Sequence, residues 1–319
     1  MAIFARFGLM ALLIAVAGTA LAAPTPVMPS VSDIDVARIN DLGADFALKA
    51  NLYLPPGPKG DPTALVLYIH GKGGTYNDPK DAVVQRLIGP LLKRGIAVAR
   101  IDYRRSGRMP DMLFDTKAYI RFFRARAAKY NIDPGRIGIW GVSRGGNLAA
   151  MLAVTGDNKT LEGAVGGNTD QPSQLQASVI ESPLTDLFLS TDDKAAAMFG
   201  DYLGTDPAAS AAIVAAYRKH DVASPSWKDV ERIQQVNPLN YVNKASPPAL
   251  IICGGLDPSN VVVNCTAFFD KYIQAGAPAN YYALSTGTHV RVGSDIEAAS
   301  IDWLAERLAK APPPIFPDK

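Results

Sequence analysis

Along most of its length the sequence alternates short apolar runs with longer stretches whose apolar residues recur every three or four positions, and few architectures accommodate that pattern. The runs "ALVLYIHG", "IAVARIDY", "ASVIES", "ALIICGG" and "ANYYAL" read as buried strands. In "DAVVQRLIGPLLKRG", Val83, Val84, Leu87, Ile88, Leu91 and Leu92 fall at helical spacing, and Gly95 follows as a C-terminal stop. Further helices are predicted over about Asp115 to Tyr130, after Ser143, around Thr266 to Ile273, and at the end, where Ser294 and Glu297 fit a capping box. Two antiparallel strands, "VARINDL" and "FALKANLYLP", precede the alternation. The fold class is α/β: a mostly parallel sheet with helices on both faces, whose ligands bind beyond the carboxyl ends of the strands. Residues 187–237 break the pattern with Ala-rich and polar helical text, which reads as a small helical cap inserted into a single domain spanning 23–319.

With 48% hydrophobic and 19% charged residues, the 319-residue chain can bury one sizeable core. A formal charge of +2 from scattered basic residues excludes a nucleic-acid surface or polybasic membrane patch and points to a small neutral partner. The first 22 residues have Arg6 in a short n-region, an apolar run from Phe7 to Val16, and Ala20 and Ala22 in an A-x-A arrangement. They predict a signal peptide cut after Ala22, hence an exported chain, periplasmic or secreted, with no membrane anchor left after cleavage. "APPPIFPDK" reads as a loose tail. Export allows Cys253 and Cys265 to pair, but spacing alone leaves a disulfide and two buried thiols equally open.

The chemistry centres on "IGIWGVSRGGNLAAM". Gly141, Val142, Ser143, Arg144 and Gly145 form G-x-S-x-G where an apolar run gives way to a helix, so Ser143 is expected on a sharp turn above the sheet. A serine nucleophile needs a base, and the chain has three histidines. His70, in "HGKGG", reads as part of a backbone-shaping turn, and His220 as a solvated cap residue. His289 follows the last strand and so projects from the same edge as Ser143. The acid should lie beyond an intervening strand, which favours Asp257 in "IICGGLDPSN" over Asp186, read as structural. Backbone amides of Lys72 or Gly73, with that of Arg144, are the candidate oxyanion donors. Nothing in this set calls for a metal or cofactor, and "HGKGG" lacks the GK[ST] of a phosphate loop.

With these residues in place, the chain resembles the α/β-hydrolase-fold serine esterases, in particular the acetyl-xylan and feruloyl esterase group related to hormone-sensitive lipases. The matching segments run from "LKANLYLP" through "YIHGKGG", "DYR", "DTKAYIRFFRARAAKYNIDPGRIGIWGVSRGG" and "LEGAVGGN" to "SPPALIICGGLDP" and the final histidine. The resemblance implies Ser143, Asp257 and His289 as a triad and oxyanion donors in the His70 to Gly74 turn. Lys72 and Arg144 depart from the family pattern, which has glycine in the third place of H-G-G-G and a small residue after the nucleophile.

The resemblance implies hydrolysis of short-chain or aromatic acyl esters, on a small molecule or carbohydrate, through an acyl-enzyme intermediate. A prolyl-oligopeptidase-like peptidase would carry a large extra domain, for which too few residues precede "VARINDL", and dienelactone hydrolases place a Cys where Ser143 stands. A non-catalytic hydrolase-like binding protein would be expected to show a damaged triad. The cap has few large apolar residues besides Met198, Phe199 and Trp227, so it lacks the apolar face of a lipase lid and favours water-soluble esters. Arg144, Arg105 and Arg108 would favour a polar or anionic substrate if they face the site rather than solvent.

Overall fold

A computed structural model describes residues 27–57, 60–78, 82–189, 193–289 and 292–309. The predicted signal peptide, the C-terminal tail and the side chains of Val83 and Val84 lie outside the described residues. Strands β1 (Val31–Asp41) and β2 (Ala44–Tyr53) form an antiparallel hairpin, and β2 also runs antiparallel to β4 (Ile96–Ile101). From there β3 (Thr63–Ile69), β5 (Ile132–Val142), β6 (Ala177–Glu181), β7 (Ala249–Gly254) and β8 (Ala279–Leu284) complete an eight-stranded sheet in the order β1-β2-β4-β3-β5-β6-β7-β8. All pairings from β4 to β8 are parallel.

Strand periodicity divides the core in two. Leu65, Leu67 and Ile69 point to one face of the sheet, and Val66 and Tyr68 to the other. The first face is covered by α2 (Asp111–Ala125), α4 (Arg144–Val154) and α8 (Ser259–Ala275) through Met112, Leu148 and Phe268. The second is covered by α1 (Ala82–Lys93) and α9 (Ser294–Arg307) through Leu87, Ile88, Leu91, Trp303 and Leu304. Every residue of β4, β6 and β7 is buried, as expected where helices cover both faces, whereas β8, at an edge, is partly exposed.

Several boundaries differ from the sequence expectation. The helix predicted from Asp115 begins at Asp111 and ends at Ala125, and a separate turn, α3 (Ala127–Tyr130), follows it. Helix α8 starts at Ser259, seven residues ahead of Thr266. The Ser294–Glu297 capping box does not form. Gly293 holds the N-cap position, so Ser294 is already the first helical residue, and Glu297 turns to an ion pair with Arg86 at 2.9 Å.

Between β6 and β7 lie α5 (Asp193–Leu203), α6 (Pro207–Lys219) and α7 (Trp227–Gln235). Asp206 caps α6 by accepting from Ala209 N at 2.8 Å, with Pro207 in the first turn. Phe199, Ile213, Val230 and Ile233 bury the inner faces of these helices in the main core. Among the described residues no helix is long and apolar enough to cross a membrane.

Candidate active site

The register of the parallel strands brings their carboxyl ends to one edge: Ile69 lies opposite Gly141, Val142 opposite Glu181, and Gly254 opposite Leu284. At the end of β5 the backbone turns sharply into α4. Ser143 sits in that turn at φ 54° and ψ −116°, an unfavourable conformation for a residue with a side chain, held by its N–H donating to Glu181 O at 2.9 Å. The turn is possible only because its neighbours are glycines. A Cβ on Gly141 would lie 2.0 Å from Gly145 O, and one on Gly145 would lie 2.3 Å from Ile69 O. The strain projects Ser143 out of the sheet beside the N-terminus of α4, whose first amides carry partial positive charge.

The loops beyond β7 and β8 supply two of the other predicted residues. His289 Nε2 lies 2.9 Å from Ser143 Oγ, and its Nδ1 lies 2.6 Å from Asp257 Oδ1. The second oxygen of Asp257 accepts from Ser182 Oγ and from Gly254 N, each at 2.8 Å. Burial disfavours the Asp257 carboxylate, but the hydrogen bonds from His289, Ser182 and Gly254 outweigh it and hold the group below its ordinary carboxylate value. Sequence reading missed Ser182. Its signal was its place directly after β6, at the same edge as Ser143.

His70 and Lys72 lie in the turn after β3. Gly74 N donates to Gly71 O at 3.1 Å, and Tyr103 Oη donates to the same carbonyl at 3.1 Å. His70 is clamped between Gly71 O, 2.8 Å from its Nδ1, and Asp102 Oδ1, 3.1 Å from its Nε2, with its ring stacked on Tyr103. Gly71 O is thereby engaged, while no hydrogen bond within the described residues takes up the amides of Lys72 and Gly73. A Cβ on Gly71 would come within 3.4 Å of Ser143 Cβ, so this turn flanks the serine directly.

A cleft of about 410 Å³ opens over Ser143 and His289, of a size suited to a small-molecule ligand. Leu184, Met198, Pro258 and Val261 form its apolar wall. Asp201, on α5, also lines it and joins the two residues that depart from the family pattern: Lys72 Nζ lies 2.7 Å and Arg144 Nη2 2.5 Å from Asp201 Oδ2. The two other arginines do not line this cleft. Arg105 lies over the Phe46 ring with its amide on Asp41, and Arg108 packs against Gly204 at the end of α5. Phe199 is fully buried in the core. Asp186 caps the short turn over Leu187–Leu189 through Phe188 N. His220 ends α6 in a left-handed conformation, exposed and edge-on to Trp227.

Beneath the turn, Glu181 is buried with Trp140 Nε1 donating to it at 3.2 Å. Burial pushes its carboxyl up to about 7; the Trp140 hydrogen bond opposes the shift, while the charges of Glu297 and Asp257 add to it. Cys253 and Cys265 form a disulfide joining β7 to α8, with their Cα atoms 6.4 Å apart, which closes the alternative that the sequence left open.

A sheet of this order, with a serine on a strained strand-to-helix turn and strand-end loops converging above it, defines an α/β-hydrolase fold. The chain belongs to the BD-FAE family, whose sequence profile matches residues 50–271, well over half of the molecule. It is 23% identical over 223 residues to the probable carboxylic ester hydrolase LipM of Mycobacterium tuberculosis and 24% identical over 239 residues to the esterase LipQ of the same organism. The matches cover 69% and 74% of this chain but 48% and 51% of those proteins, so the chain spans about half the length of these curated relatives. Among solved structures, a truncated carbohydrate esterase from gut microbiota superposes with a TM-score of 0.68 at 26% identity, covering 90% of this chain and all of the other.

Proposed function

We propose that the chain is an exported serine carboxylesterase that hydrolyses short-chain or aromatic acyl esters. The observation that carries this reading is the continuous relay from Ser143 Oγ through His289 to Asp257, at 2.9 and 2.6 Å, opening into the cleft. Ser143 attacks the acyl carbon while His289 Nε2 takes its proton. Asp257 holds the tautomer with hydrogen on Nδ1 and stabilises the imidazolium that forms. The developing oxyanion is met by the free amides of Lys72 or Gly73 and by that of Arg144 at the start of α4, each such donor accounting for about 10²-fold or more in rate. His289 then protonates the leaving alcohol, and a water activated by the same imidazole releases the acid.

The carbohydrate esterase named among the structural relatives supports an ester borne on a carbohydrate or a small molecule. The helices between β6 and β7 act in this reading as a cap, with Met198 and Asp201 of α5 reaching the cleft. Export rests on the signal-peptide pattern of residues 1–22.

The deciding measurement is kcat/KM across p-nitrophenyl acetate, butyrate and palmitate, methyl ferulate, acetylated xylan and a peptide amide. Short or aromatic esters are expected to lead. A preference for palmitate, or amide cleavage faster than every ester, overturns the substrate class; absence of fluorophosphonate labelling at Ser143 overturns the catalytic reading. N-terminal sequencing of protein recovered outside the cytoplasm should begin at Ala23.

A further inference from the structure

The charged side chains of the cleft are unevenly balanced. Besides His289, the described residues of its lining include two permanent cations, Lys72 and Arg144, and one anion, Asp201. The cations adjoin the reacting centre, Arg144 directly following Ser143 and Lys72 lying in the turn beside it. The anion comes from α5. Both cations converge on the same oxygen, Asp201 Oδ2.

A guanidinium presents a planar fork that matches both oxygens of a carboxylate, and here half of that fork is unused. Among the described residues, Asp201 is the one acceptor on the Arg144 side chain, reached through Nη2 alone. Lys72 has three ammonium hydrogens and one acceptor. Arg144 is nonetheless held firmly, its side chain only 10% exposed and its Nη1 backed against Gly107, where a Cβ would lie 2.7 Å away. A well-seated cation with free donors, paired monodentately through an oxygen it shares with a second cation, leaves one positive charge in excess among the described residues of the cleft wall.

We propose that Arg144 and Lys72 form an anion subsite, and that the preferred substrate is an ester carrying a carboxylate close to its scissile bond. This rests on the esterase reading above and names the substrate class within it. Asp201 serves as the internal counter-charge that keeps the two cations together while the subsite is empty, and the substrate carboxylate takes up the free donors of the fork. Arg144 and Lys72 are then specificity-determining residues, and Asp201 opposes acidic substrates through like-charge repulsion.

The test uses a matched pair, 4-acetoxybenzoate and 4-acetoxybenzamide, which differ in charge while presenting the same acetyl group as their one ester. The readout is the ratio of their kcat/KM values, so any general effect of a substitution on the oxyanion amides cancels. Arg144→Gln is expected to lower the acidic-to-neutral ratio about tenfold and Lys72→Met several-fold, both through KM, whereas Asp201→Asn raises it. In the wild-type protein the ratio should fall as NaCl is increased from 20 to 500 mM, because screening weakens the attraction; this arm needs no variant to fold. If the three variants change both esters in equal proportion and the wild-type ratio ignores salt, the cluster is only a clamp between α5 and the catalytic loops, and the subsite is refuted. Failure of the wild-type protein to hydrolyse these esters and p-nitrophenyl acetate alike overturns the esterase reading itself; hydrolysis of p-nitrophenyl acetate but of neither member of the pair refutes the subsite alone.

Discussion

Ser182 Oγ donates to Asp257 Oδ2 at 2.8 Å, leaving Oδ1 for His289 Nδ1 at 2.6 Å. The two oxygens of one buried carboxylate are thus divided between a fixed anchor and the imidazole of His289. Gly254 N, on the anchored oxygen, completes the restraint. The carboxylate cannot swing away from His289 without breaking these hydrogen bonds.

Removal of the anchor should therefore be felt at the imidazole. Ser182→Ala is expected to lower kcat about tenfold, the scale of one hydrogen bond to a charged group. It should also move the Asp257 carboxyl back up toward its ordinary value, so the extra loss of activity that follows protonation of this carboxylate, at the foot of the acid limb, begins at a higher pH. An unchanged profile would leave Ser182 with packing alone.

For the relay itself, Ser143→Ala and His289→Ala should each reduce turnover by about 10⁴ to 10⁶, with Asp257→Asn less severe, while circular dichroism shows an intact fold. His220→Ala, exposed at the end of α6, should leave kcat/KM unaltered. Equal damage from His220→Ala and His289→Ala would mean that the base is misassigned.

Glu181 predicts a pH dependence of stability. Its folded value of about 7 lies above the ordinary 4.5, so the folded state keeps a proton that the unfolded state releases as pH rises between those values. Its contribution is fully present below the unfolded value and is lost as pH rises through about 7. Glu181→Gln, which keeps an acceptor for Trp140 Nε1, should abolish this decline and stabilise the protein at pH 8 by about 3 kcal/mol. Urea midpoints at pH 4.5 and 8 measure the difference.

The Cys253–Cys265 bridge spans a sequence separation of 12 residues, and closing a loop of that order stabilises by about 3 kcal/mol. The double Ser variant should lose a comparable amount in urea unfolding. Alkylation of the native protein without reductant should modify no thiol.

The alternation of strands and helices, the strand-to-helix serine and the Ser, Asp, His order were all legible in the chain, because each rests on short-range rules. Apolar period, glycine around a strained turn, and placement after a strand end are properties of a few consecutive residues. They pointed to Ser143, Asp257 and His289, which the structure brings within hydrogen-bond distance of one another, and read His70, His220 and Asp186 as structural or surface residues. The helix boundaries near Asp115 and Thr266 were less legible: α2 begins directly after Pro110, a residue that also reads as a turn, and the first turns of α8 carry Val261, Val262 and Val263, β-branched residues that favour strand.

Only the tertiary structure decided what depends on partners distant in sequence. Ser182 meets Asp257 across 75 residues, and Asp201 meets Arg144 across 57 and Lys72 across 129. Glu297, free on paper to close a capping box, pairs instead with Arg86 of α1, which packs on the same face of the sheet. Arg144, Arg105 and Arg108 look alike as text, yet only Arg144 lines the cleft. Local periodicity selects the elements and the edge at which the chemistry gathers. Which charges face one another there follows from strand register and from where each helix packs, and neither is encoded within any single stretch of the chain.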